Sequence, residues 1–138
     1  MNTEDLYIPS PYGKQPCSYA YATKQQIANV IGKGGCGPGK LGDIFVPDRF
    51  LGLCMRKSCA IHDWMYAFGE TSVDKKYSDS IFYQNMLTTI KNNPSKFQLV
   101  NWLRKQMAHK FYLAVKYCGK RSFWRGKESS NGTETTNT

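Results

Sequence analysis

Cys59-Ala60-Ile61-His62-Asp63-Trp64-Met65-Tyr66, followed across Gly69 by Asp79-Ser80-Ile81-Phe82, is the stretch that decides how this chain reads. At about 3.6 residues per turn, positions i, i+3, i+4 and i+7 share one helix face. Cys59, His62, Asp63 and Tyr66 hold those four positions. A thiol, an imidazole, a carboxylate and a phenol therefore line one stripe. Polar groups on a buried stripe need partners. A lone histidine is more often a core residue that has found a carbonyl. Four such residues in register favour a functional site.

Working outward, the apolar spacing of Phe50, Leu51, Cys54, Met55, Ile61 and Met65 predicts a helix from Arg49 to Phe68. Pro47 and Asp48 suit its start and Gly69 its stop. A second helix is expected from Ser72, as N-cap, to Lys91, with Val73, Tyr77, Ile81, Met86 and Ile90 on its apolar side. Asn92-Asn93-Pro94 ends it. So short a turn sets the two helices antiparallel, and the paths back to His62 and to Asp79 are similar in length. A carboxylate facing the imidazole fixes its tautomer and leaves the other ring nitrogen to take a proton from water. Tyr66 can donate its hydroxyl to the same carboxylate. Asp74, nearer the turn, competes with Asp79 for this place. Ser95 caps a third helix reaching Tyr117 and closed by Cys118-Gly119, and a short helix over 23–31 precedes the pair. No strands are expected, so the fold class is mainly α.

The segment Gly32-Lys33-Gly34-Gly35-Cys36-Gly37-Pro38-Gly39-Lys40 cannot be a helix interior, with five glycines and a proline in nine residues. Hard cations such as calcium take oxygen ligands, backbone carbonyls included. Glycines tolerate the dihedrals that turn several carbonyls inward. If Cys36 is bridged to Cys59, the carbonyls of Gly35, Gly37 and Gly39 can join the Asp63 carboxylate around one ion. The loop lacks the Gly-Lys-Ser/Thr ending of a phosphate-binding P-loop, which disfavours nucleotide binding.

The totals fit this picture without forcing it. A chain of 138 residues with 41% hydrophobic content is long enough for one domain with a real core. We divide it into an N-terminal arm (1–22), a folded domain (23–126) and a disordered tail (127–138), the last rich in Ser, Thr, Asn and Gly. No apolar run is long enough to span a bilayer. Met1 to Ser10 does not read as a secretory signal. The formal charge of +9 favours anionic partners, although solubility alone would account for it. Five cysteines leave at least one without an intramolecular partner, and no C-x-x-C pair suggests a zinc ribbon or a thioredoxin-like site.

Cys36-Gly37-Pro38-Gly39, the Cys59–Tyr66 stretch and Asp79-Ser80-Ile81-Phe82 together resemble the phospholipase A2 superfamily, whose pattern is C-G-x-G, then C-x-x-H-D-x-x-Y, then D-x-x-F. The resemblance covers residues 27–90. It implies two long antiparallel helices, a glycine-rich calcium loop and, in this chain, an additional C-terminal helix. It implies Ca2+ held by Gly35, Gly37, Gly39 and Asp63, with His62 as general base, Asp79 orienting it and Tyr66 beside them. It also implies a Cys36–Cys59 disulfide. The activity implied is hydrolysis of the sn-2 ester of glycerophospholipids, releasing fatty acid and lysophospholipid. The implied partner is a phospholipid membrane surface, anionic in view of the charge, with no nucleic acid. The implied setting is secreted or extracellular. Candidates for the membrane contact are Tyr19, Tyr21, Phe45, Phe50, Phe123 and Trp124.

Departures point to a divergent, microbial- or viral-like branch. Ser58 precedes Cys59 where secreted animal members carry a second cysteine, Met65 stands where they have a cysteine, and Lys40 replaces a glycine. Two rival readings are a non-catalytic membrane-binding relative and a basic nucleic-acid-binding protein. The latter would use Lys96, Arg104, Lys105, His109, Lys110 and Lys116 on phosphates, but no base-reading motif accompanies them.

Overall fold

The computed structural model describes Tyr19, residues 22–31 and residues 49–124. The elements are α1 (Lys24–Ile31), β1 (Arg49–Phe50), β2 (Leu53–Cys54), α2 (Arg56–Phe68), α3 (Ser72–Asn92), α4 (Gln98–Cys118) and α5 (Lys120–Trp124). The described part is thus mainly α, as expected. Most of the N-terminal arm, the whole of the glycine-rich loop and the tail lie outside the described residues. No helix among the described residues is long and apolar enough to cross a membrane.

The start of α2 corrects the sequence reading. Residues 49–54 are an antiparallel hairpin, pairing Arg49 with Cys54 and Phe50 with Leu53, rather than the first turns of a helix. Leu51 and Gly52 form its turn with φ of 48° and 85°. Two consecutive positive φ values suit a tight hairpin, and glycine in second place makes the turn accessible. A short apolar run such as Phe50, Leu51, Cys54, Met55 fits both periods, and the turn decides between them. Phe50 is fully buried and packs on Phe111 of α4, with ring centroids 5.2 Å apart.

The cap of α3 also shifts. Thr71, not Ser72, is the N-cap: its side chain accepts from the Asp74 N–H at 3.1 Å. The Asp74 carboxylate in turn accepts from the N–H groups of Thr71 at 3.0 Å and Glu70 at 2.8 Å. This reciprocal box satisfies donors that the first turn leaves open. It also occupies Asp74 and removes it as a rival to Asp79. Ser95 likewise stands outside α4. Its N–H donates to Asn101 Oδ1 at 2.7 Å and its carbonyl accepts from Asn101 Nδ2 at 3.1 Å, so a side chain inside the helix straps the turn before it.

Helices α2 and α3 pack against each other, α4 packs on α3, α1 on α2, and α5 closes on α2 and α4. Contacts along α3 and α4 fix their antiparallel sense. Lys75 reaches Val115, Tyr83 stacks on Tyr112 at 4.9 Å, and the Asn93 carbonyl accepts from Arg104. One core group runs from the hairpin through Phe82, Met86 and Ile90 to Ala108 and Val115. A second lies between α1 and α2, with Ile61, Trp64, Met65 and Tyr19. The His62 side chain sits where α2 and α3 face each other, stacked on Phe82 with centroids 4.5 Å apart.

Candidate active site

Helix α2 buries every residue from Ser58 to Tyr66, so the stripe read from the sequence is an interior one. His62 and Tyr66, one turn apart, both turn toward α3, their ring centroids 4.1 Å from each other. On α3, Asp79 is buried opposite them. His62 Nε2 lies 2.9 Å from Asp79 Oδ1, and Tyr66 donates its hydroxyl to the same oxygen at 2.5 Å. His62, Tyr66 and Asp79 therefore meet as the helix spacing suggested.

The electrostatics follow from burial. Desolvation disfavours the imidazolium and lowers the His62 pKa from its ordinary 6.5. The hydrogen bond and charge of Asp79 oppose that shift, and the Lys75 charge reinforces it. The imidazole is accordingly neutral at neutral pH. Burial alone would raise the Asp79 pKa, yet hydrogen bonds from His62, Lys75 and Tyr66 hold it below the ordinary 3.8. Burial, the Asp79 charge and the hydrogen bond to it push the Tyr66 phenol far up, so it stays a donor. The contact between His62 and Asp79 is thus a hydrogen bond from a neutral ring to a carboxylate, not an ion pair.

With Nε2–H given to Asp79, Nδ1 carries the lone pair. It is buried and has no hydrogen-bond partner among the described residues. A buried acceptor left over in this way is uncommon in a folded interior and points to a ligand-facing atom.

Asp63 is 8% exposed and lies next to His62 on α2. A buried carboxylate is a hard oxygen donor of the kind calcium takes, so the chemistry of this side chain fits that ion. The expected further ligands, Gly35, Gly37 and Gly39, lie outside the described residues, as does Cys36 of the expected disulfide. Cys59 is itself disulfide-bonded, whereas Cys54 and Cys118 are free. Among the described residues no three His, Cys, Asp or Glu side chains form a metal-binding group. The set implied by the resemblance draws instead on backbone carbonyls and a single carboxylate.

Sequence reasoning missed three features. Lys75 is buried and donates to Asp79 Oδ2 at 2.8 Å. An i, i+4 Lys–Asp spacing was its only signal, and that spacing usually marks a solvated pair. Helix α5 brings Phe123 edge-on to Tyr66, with centroids 5.2 Å apart. Phe123 fits because Gly69 lacks a side chain: a Cβ there would come within 2.6 Å of the Phe123 ring. Gly119 admits the Tyr66 hydroxyl in the same way, its would-be Cβ lying 2.7 Å from the phenol oxygen. The membrane-contact candidates need correcting too. Tyr19, Phe50, Phe123 and Trp124 are buried, while Tyr21 and Phe45 lie outside the described residues.

No family model, curated protein or solved structure matches the chain. The functional reading rests on the residues themselves.

Proposed function

We propose that this protein is a calcium-dependent phospholipase A2-type hydrolase, cleaving the sn-2 ester of glycerophospholipids to fatty acid and lysophospholipid. One observation carries the reading. The imidazole of His62 is held at Nε2 by a buried carboxylate, while its Nδ1 lone pair is buried without a partner among the described residues. That is the disposition of a general base awaiting the proton of a water molecule.

His62 Nδ1 accepts that proton as the water oxygen attacks the ester carbonyl, and the imidazolium returns it to the glycerol oxygen as the sn-2 C–O bond breaks. Asp79 holds the Nε2–H tautomer and stabilises the imidazolium formed. Tyr66 completes the shell of donors around Asp79 Oδ1. Phe82, stacked on the imidazole, and Phe123, against Tyr66, exclude solvent from the pair. Asp63, with the carbonyls of Gly35, Gly37 and Gly39, would hold the ion. Bound calcium supplies Lewis-acid polarisation of the ester carbonyl and neutralises phosphate charge. No serine or cysteine nucleophile is required.

The partner proposed is an anionic phospholipid surface. Phe97 (70%), the N-cap of α4, and Leu99 and Trp102 (55%) in its first turns are exposed. From Ser80 to Lys127 the sequence contains no Asp or Glu, while exposed Lys96 and Lys105 flank those side chains. Aromatic rings suit the lipid–water boundary and lysines suit anionic headgroups. A cysteine already in a disulfide fits an oxidising, extracellular setting.

The test is release of lysophospholipid from phospholipid micelles with calcium and with chelator. Chelation should abolish release. Asp63→Asn should remove both activity and the calcium response with the fold intact. His62→Gln should still bind calcium and turn over slowly, and turnover of that variant at the wild-type rate would reject the base.

A further inference from the structure

Lys75 stands one turn before Asp79 on α3 and is 8% exposed. A lysine so placed must spend its ammonium on something. Its Nζ donates to Asp79 Oδ2 at 2.8 Å, to the Val115 carbonyl at 3.0 Å and to the Lys116 carbonyl at 3.3 Å. Three donors meet three acceptors, which is the full capacity of the group. Both carbonyls belong to the last turn of α4, the negative end of that helix, where a cation is favoured. The ammonium is therefore clamped between the site carboxylate and a helix terminus, 5.9 Å from the centroid of the Tyr66 ring.

The division of labour at Asp79 is the informative detail. Oδ1 takes both donors of α2, His62 and Tyr66, and Oδ2 takes Lys75. A carboxylate with only the first two contacts can rotate about its terminal torsion, which is broad and roughly two-fold. The lysine bond to Oδ2 removes that freedom. We infer that Lys75 is a positioning residue: by fixing Asp79 Oδ2 against the last turn of α4, it holds Oδ1 on His62 and so sets the imidazole tautomer. The role rests on the reading of His62 and Asp79 as a general-base pair. An ordinary exposed i, i+4 pair has no such consequence and contributes little.

The test uses the full chain with Lys75→Met, which keeps length and apolar bulk but removes the charge. Lys75→Gln, which keeps a polar end, serves if the methionine variant does not fold. Two quantities are measured: kcat and KM on phospholipid micelles with calcium, and the 15N shifts of the His62 ring at a pH where it is neutral. In the wild type the ring should be the Nε2–H tautomer alone. In the variant kcat should fall about tenfold to a hundredfold, within the range a positioned general base supplies, with KM nearly unchanged. The ring spectrum should show both tautomers, and Lys75→Arg should recover part of kcat. A folded neutral variant with lower melting temperature but unchanged kcat and a single tautomer makes Lys75 a mere strut and overturns the inference. A wild type that releases no lysophospholipid would instead sink the hydrolase reading, and the ring spectra would still decide what Lys75 does.

Discussion

Replacing Asp79 by asparagine removes one negative charge and changes almost nothing in volume, yet three donors converge on that side chain. The amide oxygen has two lone pairs for His62, Tyr66 and Lys75, and the amide nitrogen brings two further donors into the same space. At least one buried donor must go without an acceptor. The worst placed is the Lys75 ammonium, whose side chain is 10% exposed and which loses its only counter-charge among the described residues. Breaking one half of a buried pair costs about 3–5 kcal/mol, because the surviving charge stays desolvated. A domain of ordinary stability has only about 5–15 kcal/mol in all, so the loss should be plain in urea unfolding. The informative design is a double-mutant cycle of Asp79→Asn, Lys75→Met and both together. Removing the ammonium as well removes the stranded charge, so the double variant should be more stable than the sum of the singles allows, by about 1–3 kcal/mol. If Asp79→Asn costs less than about 1 kcal/mol and the cycle closes without coupling, the buried charge network at this site does not control the protein's stability.

Two further outcomes follow from the same structure. In chelator, stability should drop as pH falls below about 6.5. Burial holds the folded His62 pKa below that value, so the unfolded chain binds the extra proton first. A second loss should come as pH falls below about 3.8 through the lower folded pKa of Asp79. His62→Gln should lack the first drop, and an unfolding midpoint flat from pH 7 to about pH 5 in the wild type would contradict the buried neutral ring. At the surface, Trp102→Ser should weaken sedimentation with anionic vesicles. Burying about 100 Å² of apolar surface at about 25 cal/mol per Å² is worth about 2.5 kcal/mol, more than tenfold in partitioning. Equal retention of both proteins would remove α4 from the proposed membrane contact.

Helical periodicity and one short turn suffice to bring His62, Tyr66 and Asp79 together, because spacing along a helix dictates which side chains share a face. The sequence by itself therefore determines the stripe on α2, the antiparallel partner on α3 and the composition of the candidate base pair. It leaves Asp74 and Asp79 in competition, and only the capping geometry at Thr71 separates them. It misplaces the start of α2, since Phe50 and Leu51 satisfy helix and hairpin spacing alike until the backbone turns at Gly52. Lys75 and Phe123 are decided by tertiary structure alone. A lysine four residues from an aspartate looks solvated until α4 lays its last carbonyls over it. A Phe-Trp pair near the end of the chain looks exposed until α5 folds it over Tyr66, into the space left by a glycine fifty-four residues earlier. Local spacing is written in the order of residues, whereas burial depends on what distant segments bring, and no periodicity encodes that.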